Sequence, residues 1–234
     1  QNMYIIGRKE MLFGRKRKEK SMRSFDYSYL SLRTWDNEIL SYVAKIHEYK
    51  GKQELYLRQK PVELERLVEV AKVQSTESSN RIEGIITTKS RLQQLVEDKT
   101  TPRNRDEKEI LGYRNVLNLI HENYEYIPFR SNYILQLHRD LLQYTELTYG
   151  GKYKTIPNEI DAVLPNGEKR ILFKPLEPYE TPGAIEQICD SYQRALEQEI
   201  VDPLILIPCV ILDFLCVHPF NDGNVTLRYC ENVA

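Results

Sequence analysis

Apolar positions recur along most of this chain at helical spacing. From Trp35 onward the pattern predicts helix. Pro61 can open one at its first turn, and Leu64, Leu67, Val68 and Ala71 then form one apolar stripe. Thr87-Thr88 offers an N-cap ahead of Leu92, Leu95 and Val96. Thr101-Pro102-Arg103-Asn104 reads as a connection, followed by a long amphipathic helix marked by Ile110, Tyr113, Leu117 and Ile120. Ser131 is placed to cap a further helix carrying Ile134, Leu137, His138 and Leu141, and later helices are expected over 182–198 and 203–217. The rhythm breaks between Tyr149-Gly150-Gly151 and Pro175. There Pro165-Asn166-Gly167 separates Ala162-Val163-Leu164 from Ile171-Leu172-Phe173, and Asn-Gly between apolar runs is the strongest short signal for a β-hairpin. The pattern predicts a mainly α protein: a helical bundle with one hairpin laid on it.

Composition narrows the setting. With 41% hydrophobic residues in 234, the chain can bury a real core, and a formal net charge of −1 gives no support for nucleic-acid binding. The most apolar run, Pro203 to Val217, contains Asp213 and Pro208 and falls short of the ~20 residues that span a bilayer, so no membrane segment is expected. The start shows no signal-peptide pattern. Cys189, Cys209, Cys216 and Cys230 form no Cys-x-x-Cys pair and read as buried thiols of a cytoplasmic protein. Residues 1–25 carry a basic cluster, Arg15-Lys16-Arg17-Lys18 with Lys20, and read as a solvated tail.

The chemistry concentrates near the C-terminus, in His218-Pro219-Phe220-Asn221-Asp222-Gly223-Asn224. A buried helix delivers a histidine to a loop. Asp222 is placed to reach a cation, Gly223 lets backbone N–H groups approach an anion, and a helix starting at Asn224 would add its own orphan N–H groups. Residue chemistry alone leaves two readings open, a phosphate cradle beside a proton acceptor or a structural loop.

This stretch resembles the Fic family signature HPFx(D/E)GNGRxxR, fitting its first seven positions. Upstream, Ser79-Asn80-Arg81-Ile82-Glu83-Gly84 resembles the family's inhibitory-helix pattern (S/T)xxxE(G/N). The resemblance covers roughly 26–234 and implies an N-terminal helical region with the inhibitory motif over 26–100 and a Fic core over 101–234. It implies transfer of AMP from ATP to a Ser, Thr or Tyr hydroxyl of a target protein, with self-modification and a homodimer as further expectations. His218 would be the base, Asp222 would hold Mg²⁺, and Gly223, Asn224 and Val225 would line the phosphate site. Ser79, Glu83 and Gly84 would form the inhibitory element. Asn158, Glu159, Ile160, Asp161, Ala162 and Val163 would form the flap that docks the target.

After Asn224 the resemblance fails. Val225 stands at the second motif glycine, Thr226 and Tyr229 at the two arginine positions, and Arg228 lies about 100° around a helix from the last of them. The chain ends at Ala234, where the family pattern implies a further helix, so a C-terminally shortened core with impaired transfer is expected. Two alternatives are a catalytically silent binding or regulatory protein on the same scaffold, and a related enzyme that removes AMP or transfers another phosphate-containing group.

Overall fold

The computed structural model describes residues 24–59, 61–82, 84–85, 87–163 and 167–224. The basic cluster between Arg15 and Lys20, Glu83, the turn residues Pro165 and Asn166, and Val225, Thr226, Arg228, Tyr229 and Cys230 lie outside them. Among the described residues there are seven α-helices, two short 3₁₀ helices and one two-stranded antiparallel sheet.

Helix α1 (Asn37–Gln59) begins two residues after Trp35, where Asp36 Oδ1 accepts from the Ile39 N–H at 2.8 Å. Helix α2 (Pro61–Ile82) opens at Pro61 as expected. Its apolar stripe does not meet the core: Leu67 is 61% and Val68 41% exposed. The last turns of α2 bury a polar face instead, with Thr76, Ser79 and Asn80 at 3% exposure or less. Small hydroxyl residues fit there because Ser75 Oγ and Ser79 Oγ each lie 3.0 Å from the Tyr113 phenol on the neighbouring helix. Periodicity identifies an apolar face but not whether a neighbour covers it.

Thr88 caps α3 (Lys89–Val96), and Asn104 caps α4 (Arg105–Asn123) by accepting from the Glu107 N–H at 2.9 Å. The two helices are clamped by a bidentate Arg91–Glu107 pair, with bonds of 2.8 and 2.7 Å and both side chains largely buried. Helix α5 (Ser131–Leu141) starts at Ser131, but Arg130 holds the cap position and no side chain caps the end, a correction to the expected Ser131 cap. Helices α4 and α5 meet at Gly112, where a Cβ would overlap the Leu141 carbonyl oxygen. Helices α6 (Thr181–Glu197) and α7 (Pro203–Val217) both carry proline in the first turn, and Asp202 caps α7 by accepting from the Leu204 N–H.

One core lies between α4, α5, α6 and α7, centred on Tyr113, Leu117, Ile134, Ile185, Leu206 and Phe214. It also takes in Phe25, Tyr27 and Leu30, and Ser191 Oγ ties this segment down by donating to the Phe25 carbonyl at 2.6 Å. A second cluster of Leu92, Leu95, Val96 and Ile110 joins α3 to α4, with Val73 and Ile85 packed against it. The hairpin forms where expected. Strand β1 (Ile160–Val163) pairs antiparallel with β2 (Lys169–Phe173), Asp161 opposite Ile171 and Val163 opposite Lys169. Gly167 takes φ of +82° in the connection. Cys189 is buried as expected, whereas Cys209 and Cys216 are half-buried. Among the described residues no helix is long and apolar enough to cross a membrane.

Candidate functional site

The site begins where α7 ends. The apolar helix stops at His218, whose N–H still donates to the Phe214 carbonyl at 2.9 Å while its backbone turns left-handed, φ +49°. That reversal throws the following residues across the end of the bundle as a loop. Phe220 turns back into the core at 0% exposure and anchors it. Asn224 closes the loop: its Oδ1 accepts from the Phe220 N–H and its Nδ2 donates to the Phe220 carbonyl, both at 2.8 Å. The Asn224 side chain, expected at a phosphate site, is occupied in this ring and is 3% exposed.

Three residues outside the loop fix its shape. His138 on α5 stacks on the Phe220 ring at a centroid distance of 3.7 Å. Its Nδ1 accepts from the Gly151 N–H at 3.0 Å, so the ring proton sits on Nε2, which donates to the Asp222 carbonyl at 3.1 Å. Burial pushes its pKa down to about 4, keeping it neutral. The Lys154 ammonium, 2% exposed, donates to the Val217 carbonyl and to Asn158 Oδ1, each at 2.9 Å. Asn158 Nδ2 in turn donates to the Phe220 carbonyl at 3.2 Å and reaches the His218 carbonyl at 3.4 Å. Desolvation lowers the Lys154 pKa to about 8.

In the sequence His138 reads as a core or surface histidine, and its place beside Leu137 and Leu141 gives no sign of a loop contact. Lys154 lies in the Gly151-to-Lys154 approach to the hairpin, and no local pattern distinguishes it from a surface lysine. Gly151 itself takes φ of +74°, which glycine allows cheaply.

The loop forms part of a cleft of about 520 Å³, lined by His218, Asp222, Gly223 and Asn224 together with Ile82, Gly84 and Arg105. His218 is half-buried. Burial first, and the Lys154 cation second, hold its imidazole below the ordinary 6.5. Asp222 Oδ1 accepts from the Gly223 N–H at 2.8 Å and Oδ2 from Arg105 Nη2 at 3.0 Å. Gly223 has φ of +75°, and a Cβ there would lie 3.2 Å from Leu141 Cδ2.

Of the expected residues, the structure gathers His218, Asp222, Gly223, Asn224 and Gly84 around one cleft. Ser79 faces Tyr113 instead of the cleft. Gly84, φ +83°, follows the end of α2, where the Ile85 N–H donates to the Asn80 carbonyl at 2.9 Å. Glu83 and Val225 lie outside the described residues. In the hairpin, Glu159 pairs with Lys174 at 2.9 Å and Asp161 with Lys169 at 3.6 Å. Ile160 is 36% exposed, Ala162 half-buried, and Val163 ends β1. Asn158 precedes the strand and belongs to the loop's support.

Residues 128–229 match the Fic/DOC family. No curated protein matches the chain. Among solved structures, a Fic-domain-containing signaling protein from Bacteroides thetaiotaomicron VPI-5482 is 26% identical with a TM-score of 0.65, covering 74% of this chain and 65% of its own. A Fic family protein from Desulfovibrio desulfuricans G20 is 17% identical at 0.66, covering 86% and 58%. Fic-1 from C. elegans is 20% identical at 0.63, covering 87% and 60%. The chain therefore spans less than two thirds of each of these solved proteins. The matched segment holds the hairpin, α6, α7 and the whole loop that bears His218; over these residues the chain is similar to the Fic/DOC family, and the architecture around them is shared with the solved Fic-domain structures.

Proposed function

We propose that this chain is a Fic-type transferase that moves AMP from ATP to a hydroxyl of a target protein, with His218 as the base. The observation that carries this reading is a neutral, half-buried imidazole lining the same polar cleft as Asp222 and Gly223. A neutral ring has a lone pair for the hydroxyl proton, and a base so placed contributes roughly 10²–10⁴-fold in rate. Lys154 serves from outside the cleft, because its cation disfavours a proton on His218 while its two carbonyl and amide bonds hold the loop.

The donor set fits Mg²⁺ in one mode. Asp222 is the loop's carboxylate, its side chain is 39% exposed, and Mg²⁺ is commonly held by one or two carboxylates with phosphates and water completing the shell. When bound, Mg²⁺ would neutralise charge between the nucleotide phosphates. Gly223 holds the left-handed turn beside the cleft, since any side chain there would meet Leu141 and the His138 ring. The exposed hairpin edge offers strand-like docking to an extended target segment.

Restraint by Glu83 is part of the proposal. Its neighbours Ile82 and Gly84 both line the cleft that His218 faces, which supports an inhibitory role for the end of α2. A second reading, a silent scaffold that binds a partner, is favoured by a specific observation. The Gly223 N–H and the Asn224 side chain are engaged within the loop, and the sequence has Thr226 and Tyr229 where the family pattern has arginine.

Incubation with ATP labelled at the α-phosphate and a cell lysate separates the two. Label on protein that is lost in His218→Ala supports transfer. Silence in wild type, persisting after Val225→Gly, Thr226→Arg and Tyr229→Arg are introduced together, supports the scaffold.

A further inference from the structure

Any polyphosphate entering the cleft meets a wall that carries three carboxylates, Asp106, Glu109 and Asp222. Repulsion by that wall has to be offset by cations. Among the described lining residues, Arg105 is the only lysine or arginine. It is the first residue of α4, set there by the Asn104 cap. Its guanidinium is steered from behind: Nε donates to Glu109 Oε1 at 2.7 Å, and Nη2 crosses to Asp222 Oδ2 at 3.0 Å. The Arg105 side chain is 60% exposed and that of Asp222 39%. An ion pair this wet is worth little, so a cation that takes the carboxylate releases the guanidinium at small cost. A guanidinium fork matches phosphate oxygens as well as it matches a carboxylate.

We infer that Arg105 is a nucleotide-binding residue held in reserve on Asp222: once a divalent cation claims that carboxylate, the guanidinium turns to the terminal phosphates of the nucleotide. This rests on the nucleotide reading of the cleft given above. Glu109 remains the hinge partner in both positions, so the side chain swings about an anchored Nε. Arg105 thereby supplies charge from α4, a helix that the loop sequence does not contain. It also makes a lone nucleotide and a metal-bound one different ligands, because only the second frees the arginine.

Calorimetric titration of the full chain tests the assignment, with MgATP, MgAMP and ATP in excess EDTA as probes. Loss of a charge-assisted phosphate contact predicts that Arg105→Gln weakens MgATP by about tenfold or more. Arg105→Lys should fall between, and MgAMP should change by less than about twofold. In EDTA, wild type and Arg105→Gln should bind ATP equally weakly. Arg105 is largely exposed at a helix start, and unchanged melting of the variants would confirm that folding is not at issue. If wild type binds MgATP and Arg105→Gln binds it equally well, the inference falls while the nucleotide site stands. A tenfold difference that persists in EDTA overturns the exchange with Asp222. If wild type binds no MgATP at all, both the inference and the reading beneath it fail.

Discussion

The side chain that does most to shape the loop is His138. Both ring nitrogens are bonded to backbone and the ring lies against Phe220, so neither protonation nor replacement is neutral. Its pKa falls from 6.5 in the unfolded chain to about 4 in the fold. The unfolded state therefore binds more protons between those values, and stability is lost as pH drops from 6.5 to 4. The full loss is about 3 kcal/mol for a shift of this size. Urea unfolding at pH 7 and pH 4 should show that loss in wild type, and His138→Gln should remove most of the His138 contribution while lowering stability at pH 7 by about 1–3 kcal/mol. Gly223 gives a second test. Alanine there carries a left-handed backbone penalty of roughly 1–2 kcal/mol, plus the contact with Leu141, and thermal melting should show a loss at least that large. The sequence made His218, Asp222 and Gly223 legible because they are adjacent. His138, Lys154 and Arg105 were not, since each reaches the loop from a distant stretch of chain and none departs from an ordinary helix or surface residue in its own neighbourhood.

At the scale of elements, patterning located α3 to α7 to within a few residues because apolar period, caps and first-turn prolines agreed. It misjudged α2, where the apolar stripe stays exposed and a hydroxyl-rich face is buried against Tyr113. Small polar residues at helical spacing carry no hydrophobic signal, so such a face is invisible to periodicity. The α4–α5 contact was equally hidden, because Gly112 inside an amphipathic helix reads as a weakness, whereas its missing side chain leaves room for the Leu141 carbonyl. Gly112→Ala would push backbone against backbone, and chemical denaturation should show a loss of about 1–3 kcal/mol or more despite the gain in helix propensity. The Arg91–Glu107 clamp brings α3 onto α4. The hydrogen bonds from Arg91 hold the Glu107 carboxyl well below its ordinary 4.5, at about 2. Its stabilising contribution is complete above pH 4.5 and fades as pH falls toward 2. Glu107→Gln should flatten that part of an acid-unfolding curve, read by circular dichroism.

Across the whole molecule, the cleft sits where three separate stretches converge: the end of α2, the start of α4 and the loop after α7. A restraint at Glu83 would act across that junction, and Glu83→Gly should raise label transfer severalfold in any version of the chain that shows transfer. A gain in wild type would mean that a cation within this chain, Arg105 or Arg228, substitutes for the arginines that the motif lacks. The most direct test of the central claim does not need turnover. Isotope-edited NMR of the four histidine rings reads both the protonation of His218 and the approach of a nucleotide. The account predicts that His218 titrates below 6.5, is neutral at pH 7, and shifts on addition of MgATP while His47 and His121 do not. A His218 ring that titrates at or above 6.5, or that saturating MgATP leaves unmoved, would contradict it.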